Sequence, residues 1–235
     1  MRAFAALSLS LLAGAAGASD FDLLPGGSQA DFRSAAKDIV STLDYKALNP
    51  AEAGGLTGFS LGAFATYAPV QDKGAWQRLT GEEVEAIGMV GVSATKGLPF
   101  DIDIGAYYSQ VPSTDAKLFG GEIRWAVLPG GIATPAVALR ASYSKLSGED
   151  DLSFDSKAVD VSISKGFAFL TPYAGAGYVW GTVTPGSGLG LSEEEVNQAK
   201  FFAGLRVALG FLQLTPEYSR SGDSNAYSLR LALGF

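Results

Sequence analysis

Residues 226–235 read Ala226-Tyr227-Ser228-Leu229-Arg230-Leu231-Ala232-Leu233-Gly234-Phe235. The odd positions are all aromatic or leucine, and the even positions are small or polar. A period of two places alternate side chains on opposite faces of an extended strand. A helix would need apolar residues at three- and four-residue steps, which this stretch lacks. The same alternation appears upstream. Over 201–209 the odd face is Phe201, Ala203, Leu205, Val207 and Leu209, against Phe202, Gly204, Arg206 and Ala208. Over 133–144 Val137, Leu139, Ala141 and Tyr143 oppose Ala138, Arg140, Ser142 and Ser144.

Ten such segments can be read, near 58–68, 85–96, 100–110, 117–128, 132–145, 156–165, 168–182, 197–209, 211–220 and 224–235. Their lengths suit tilted strands that cross a bilayer. The second is the least regular, because Ile87 and Met89 are out of phase with Val90 and Val92. The links alternate between short and long, as in an up-and-down barrel whose turns lie on one side of a membrane. Asp150, Asp151 and the run Glu193-Glu194-Glu195 fall in long links and read as solvated loop residues. Tyr67, Tyr108, Tyr143, Tyr178, Trp180, Tyr218 and Tyr227 fall near the long links, with Phe59 and Phe235 near the short ones. Two such bands match the interfacial girdles of a membrane barrel. The expected fold is an all-β, antiparallel up-and-down transmembrane barrel of about ten strands over residues 55–235.

The amino-terminal end fits export. Met1-Arg2 precedes the apolar run 3–16 and the small-x-small triplet Ala16-Gly17-Ala18. This pattern predicts a signal peptide over 1–18, cleaved after Ala18. Composition agrees with an exported barrel and excludes several chemistries. The chain has 235 residues with a formal net charge of −7; 47% are hydrophobic and 17% charged. Mean hydropathy is +0.19. There is no Cys and no His. Disulfides, thiolate zinc sites and cysteine nucleophiles are therefore excluded, along with the commonest general base. The negative charge argues against a nucleic-acid partner. No metal, cofactor or catalytic residue is expected.

The segment Ser228–Phe235, with Tyr227, Leu229, Leu231, Leu233 and Phe235 on one face, resembles the carboxy-terminal signal of bacterial outer-membrane barrels. That resemblance implies recognition by the barrel assembly machinery, with outer-membrane lipid and lipopolysaccharide as surroundings. The stretch from Tyr45 to Phe59, Thr134-Pro-Ala-Val-Ala-Leu-Arg140, Tyr143-Ser-Lys-Leu-Ser-Gly148 and Ser164-Lys-Gly-Phe167 resemble an uncharacterised group of small proteobacterial barrels, which carries no assigned activity. Asn49-Pro50-Ala51 weakly resembles long-chain fatty-acid transporters. Outer-membrane enzymes of similar size use a catalytic His, so no mechanism of theirs maps onto this chain.

Two features bear on function. Residues 28–43 have helical spacing, with Phe32, Ala35, Ala36, Ile39, Val40 and Leu43 on one stripe and a capping start at Ser28 and Asp31. This helix falls in a segment, 19–54, expected in the periplasm, at the mouth where the first strand begins. It would cap the barrel base, plug the lumen, lie on the leaflet or dock a partner. The other feature is the inward face of the strands, which carries Asp103, Glu122, Arg124, Arg140, Asp160, Arg206, Glu217 and Arg230. With symmetric hairpins, Arg140 faces Asp160, Glu122 lies diagonal to Arg140, Asp103 lies beside Arg124, and Tyr173 lies near Asp160. Charge in a confined interior demands pairing. The balance of signs favours a closed, ion-paired lumen with a structural or surface-interaction role. The alternative is a narrow passive channel for small or hydrophobic solutes, with these residues as its constriction and the helix as its plug.

Overall fold

The computed structural model describes residues 23–112, 114–148 and 152–235. The expected signal peptide and its cleavage site, like Asp150 and Asp151, lie outside them. Ten antiparallel strands form one closed barrel. The elements are α1 (Gln29–Leu43), β1 (Phe59–Pro69), α2 (Lys73–Thr80), β2 (Ala86–Leu98), β3 (Ile102–Gln110), β4 (Lys117–Leu128), β5 (Ala136–Ser147), β6 (Leu152–Ser164), β7 (Leu170–Pro185), β8 (Glu194–Leu209), β9 (Leu212–Ser221) and β10 (Ser224–Gly234). Each strand pairs with its chain neighbours, and β1 closes on β10 from Ser60↔Gly234 to Tyr67↔Tyr227. Full closure leaves no unpaired strand edge.

Burial alternates strictly along β10: Ala226, Ser228, Arg230, Ala232 and Gly234 face the lumen, and the leucines between them face outward. Outward Leu, Ile and Val side chains recur on neighbouring strands, Ile104, Ile123, Leu139 and Val161 among them, each close to half exposed. Aromatic pairs mark one rim, with Tyr178–Trp180 centroids 5.0 Å apart and Tyr218–Tyr227 5.6 Å apart. Phe211 and Phe235 stack at 6.5 Å on the other.

The connections differ from the sequence expectation in detail. Strands β6 and β8 start earlier than the alternation suggested, at Leu152 and Glu194. Glu194 and Glu195, expected in a solvated loop, are the first residues of β8, and Glu194 turns inward and is buried. The β1–β2 connection holds α2, capped by the Asp72 side chain on the Ala75 N–H at 2.9 Å. Gly81 ends α2 at φ 78°, the left-handed conformation that glycine adopts without steric cost.

The position of α1 corrects the sequence reading. It was expected at the mouth where β1 begins. It lies instead inside the opposite mouth, among the β1–β2, β7–β8 and β9–β10 connections. Gln29 Nε2 donates to the Ser192 carbonyl at 2.9 Å, and Ser41 Oγ donates to the Ser221 carbonyl at 3.2 Å. The physical reason is residues 44–58, which run without helix through the lumen. Fifteen residues can span up to about 50 Å when extended, more than a barrel's height across a ~30 Å apolar layer. Position in sequence therefore did not fix the side on which the helix lies.

Candidate functional site: a lumen filled by the amino-terminal segment

The inward face has two zones. Near the mouth that holds α1 it is apolar: Ile87, Met89, Leu118, Leu146, Phe154, Val179, Val183 and Val196 are all buried. With Phe32, Ala36, Ile39, Val40 and Leu43 of α1 they form one continuous core. This explains the irregular second strand, because Ile87 and Met89 face the helix while Val90 and Val92 face outward. Gly181 provides the clearance on β7. A Cβ there would sit 2.5 Å from Val40 Cγ2.

Loop contacts hold the helix from above. Asp38 is buried and accepts from Ser224 Oγ at 2.8 Å, the Gln71 N–H at 3.1 Å and Trp76 Nε1 at 3.1 Å. Three donors on one carboxylate tie the helix to the β9–β10 hairpin and to the β1–β2 connection. Arg33 pairs with Glu194 at 2.9 Å, and Arg78 of α2 pairs with Asp31 at 2.5 Å. The hydrogen bonds from Arg78 and Ser28 hold the Asp31 carboxyl down at about 2.

Below the helix the lumen becomes ionic. Asp44 accepts from Lys200 at 2.6 Å and also pairs with Lys46. Lys46 reaches the Ser41 carbonyl and Lys200 the Tyr45 carbonyl, each at 2.5 Å. Leu48 then turns the chain at φ 46°, a strained conformation for leucine. Its N–H donates to Glu217 Oε2 at 2.8 Å, the oxygen that also accepts from the Tyr173 hydroxyl at 2.7 Å.

The residues singled out from sequence fall into separate groups rather than one ring. Arg140 grips Asp160 through two bonds, of 3.0 and 2.8 Å, and reaches Glu122 at 3.3 Å. Its guanidinium lies 5.2 Å from the Phe202 ring centroid. Arg140 and Asp160 are register partners, as are Asp103 and Arg124. Tyr173, expected near Asp160, bonds to Glu217 instead, because Asp160 lies opposite Gly177. Asp103 pairs with Arg124 at 2.8 Å and also accepts from the Gly54 N–H at 3.0 Å. Arg124 donates to the Pro50 carbonyl at 2.8 Å. Arg206 pairs with Glu52 at 2.9 Å. Arg230 donates to Ser60, Ser93 and Asn49 at 2.8, 2.9 and 3.3 Å. Tyr227, Leu229, Leu231, Leu233 and Phe235 all lie on the outer face.

Sequence reasoning missed Asp44, Lys46, Asn49, Glu52 and Lys200. Lys200 was legible, since it shares its face with Phe202 and Arg206. The others lie in a segment with no period to read. Their effect is to neutralise and fill. A void of about 10 Å³ remains between Tyr45, Phe64, Met89 and Arg230, room for roughly one water. A polar cavity of about 120 Å³ opens at the mouth where β1 begins, between Glu52, Asp103, Arg124 and Arg206. A cleft of about 310 Å³ lies beside Arg33, Lys37 and Glu195 at the other mouth.

No protein-family model and no curated protein matches the chain. Among solved structures it is similar to the attachment invasion locus protein Ail of Yersinia pestis, at 12% identity over 76% of this chain and 97% of Ail, TM-score 0.33. It is similar to KdgM porin at 9% identity over 74% of this chain and 99% of the porin, TM-score 0.37. It is similar to Neisserial surface protein A at 10% identity over 75% of this chain and 95% of that one, TM-score 0.32. These likenesses are distant, and the fold rests on the register of the ten strands themselves.

Proposed function

We propose that this protein is an integral barrel of the bacterial outer membrane, that it is not an enzyme, and that its own amino-terminal segment closes its lumen. Its role is then structural or one of surface interaction, set among outer-membrane lipid and lipopolysaccharide and reached through the barrel assembly machinery. The outward apolar belt between two aromatic rims supports the membrane setting. The mouth holding α1 and α2 faces outward, since the ends of β1 and β10 conventionally lie on the periplasmic side. One observation carries the closure: with α1 and residues 44–58 in place, the mid-lumen void admits about one water. Acidic and basic lumen groups in balance also leave little net field to select ions. The cavities at the two mouths favour the second reading, a narrow passive channel, because displacing the segment would join them.

Proteoliposomes containing brominated lipid test both halves. In single-tryptophan variants, Trp125 and Trp180, 51% and 43% exposed on the outer face, are expected to be quenched. Trp76, 1% exposed against α1, is expected to be spared. Vesicles holding the full chain are expected to retain potassium as protein-free vesicles do. Rapid leakage would contradict closure, and equal quenching of all three tryptophans would contradict the membrane reading.

A further inference from the structure

The lumen segment sets the location of the chain that precedes it. Residues 44–58 are pinned at successive heights: Asp44 to Lys200, Leu48 to Glu217, Ala51 to Ser164 Oγ at 3.1 Å, and Gly54 to Asp103. The next residues enter β1, where the Gly97 N–H donates to the Gly58 carbonyl at 2.9 Å. Residues 23–43 are therefore at the opposite mouth from the start of β1. Beside residues 45–49 the void lined by Phe64, Met89, Tyr107 and Arg230 admits about one water, too little for a second pass of chain there. Residues 23–28 run beside α2: Leu23 joins the core, and the Leu24 N–H donates to the Leu79 carbonyl of α2 at 2.7 Å. Helix α1 turns a narrow face outward, with Ala30, Arg33 and Lys37 exposed at three- and four-residue steps. Leu24 and Pro25 are exposed next to it.

We propose that this barrel is a display device for its own amino terminus: residues 23–37 have crossed the membrane through the lumen and are presented on its outer side. The proposal rests on the orientation given under Proposed function, with the α1 mouth facing out. It adds to closure a consequence that closure alone does not require, namely that residues 23–37 are accessible from outside the cell.

The absence of Cys makes the test clean, since a single introduced thiol reports alone. Three variants are compared in the full chain: Ala30→Cys on α1, Ser187→Cys in the β7–β8 connection, and Ile132→Cys in the fully exposed β4–β5 turn. A membrane-impermeant maleimide is applied to intact cells and then to permeabilised ones. Ala30→Cys and Ser187→Cys are expected to label to the same extent on intact cells, with Ile132→Cys labelled only after permeabilisation. Protection of Ala30→Cys on intact cells beside a labelled Ser187→Cys would overturn the proposal and leave the orientation standing. Labelling of Ile132→Cys alone on intact cells would overturn the orientation, and the proposal with it. Lys37→Cys, further along the same exposed face, provides the same readout if Ala30→Cys does not accumulate.

Discussion

Arg140→Ala is expected to lower the urea midpoint of the refolded protein far more than Lys145→Ala. Arg140 is 4% exposed, and its guanidinium neutralises both Asp160 and Glu122. Removing it leaves two carboxylates in a confined interior without their cation, a loss of about 3–5 kcal/mol by analogy with other broken buried pairs. Its contact with the Phe202 ring is lost as well. Lys145 is exposed on the outer face of the same strand, so its truncation should change stability by less than about 0.5 kcal/mol. The cost comes from the orphaned charges rather than from the worth of the pair. A triple variant, Arg140→Met with Asp160→Asn and Glu122→Gln, should therefore recover much of the loss. Equal midpoints for the two single variants would sink the idea that paired charges hold the lumen.

Trp76→Ala is expected to loosen α1 while leaving the barrel closed on itself. Trp76 is buried against the helix, and its Nε1–H meets Asp38 Oδ2 at 3.1 Å. Truncating a buried tryptophan typically costs about 3–5 kcal/mol through lost transfer energy and the cavity left behind. Asp38 also loses one of its three donors. Trp76→Phe keeps an aromatic ring in place while removing the indole N–H and part of the ring volume, so its cost should be well below that of Trp76→Ala. Hydrogen exchange of the Phe32–Leu43 amides separates the two variants, with protection falling steeply for Ala and slightly for Phe. Unchanged protection in Trp76→Ala would show that the β1–β2 connection does not hold the helix.

The two sites differ in how far the sequence shows them: Arg140 follows from the strand alternation, whereas α2 and Trp76 do not. Strand β10 reads clearly because its inner face is entirely small or polar against outward leucines. Strand β2 reads poorly for a physical reason: Ile87 and Met89 bury against α1, so near that mouth both faces are apolar and the alternation disappears. The pairs Arg140–Asp160 and Asp103–Arg124 follow from register, because antiparallel neighbours are fixed once the hairpins are centred. Tyr173 went astray because its hydroxyl bonds to Glu217 of β9, which hairpin symmetry around β6 does not bring into view. Glu194 was read as solvated because three glutamates in a row suggest a loop. Parity with Val196 and Gln198 would have turned it inward. The stripe of α1 was plain from its spacing, but its side of the barrel was not. Residues 44–58 carry no periodicity, and nothing in their composition distinguishes a thread through the lumen from a linker outside it. Asp38 illustrates the same limit: off the apolar stripe it reads as solvated, yet the surrounding connections bury it.

The central claim is that the amino-terminal segment, and not the barrel wall, closes the lumen. The most direct measurement is single-channel conductance in a planar bilayer, comparing the mature chain with one that begins at Gly54, each first shown to refold as a barrel. Without residues before Gly54, the contacts of Asp44 with Lys200 and of Glu52 with Arg206 are lost together with α1. The mature chain is expected to be silent and the shortened chain to give discrete steps. Steps of equal size from both, or silence from a shortened chain that has refolded, would contradict the account.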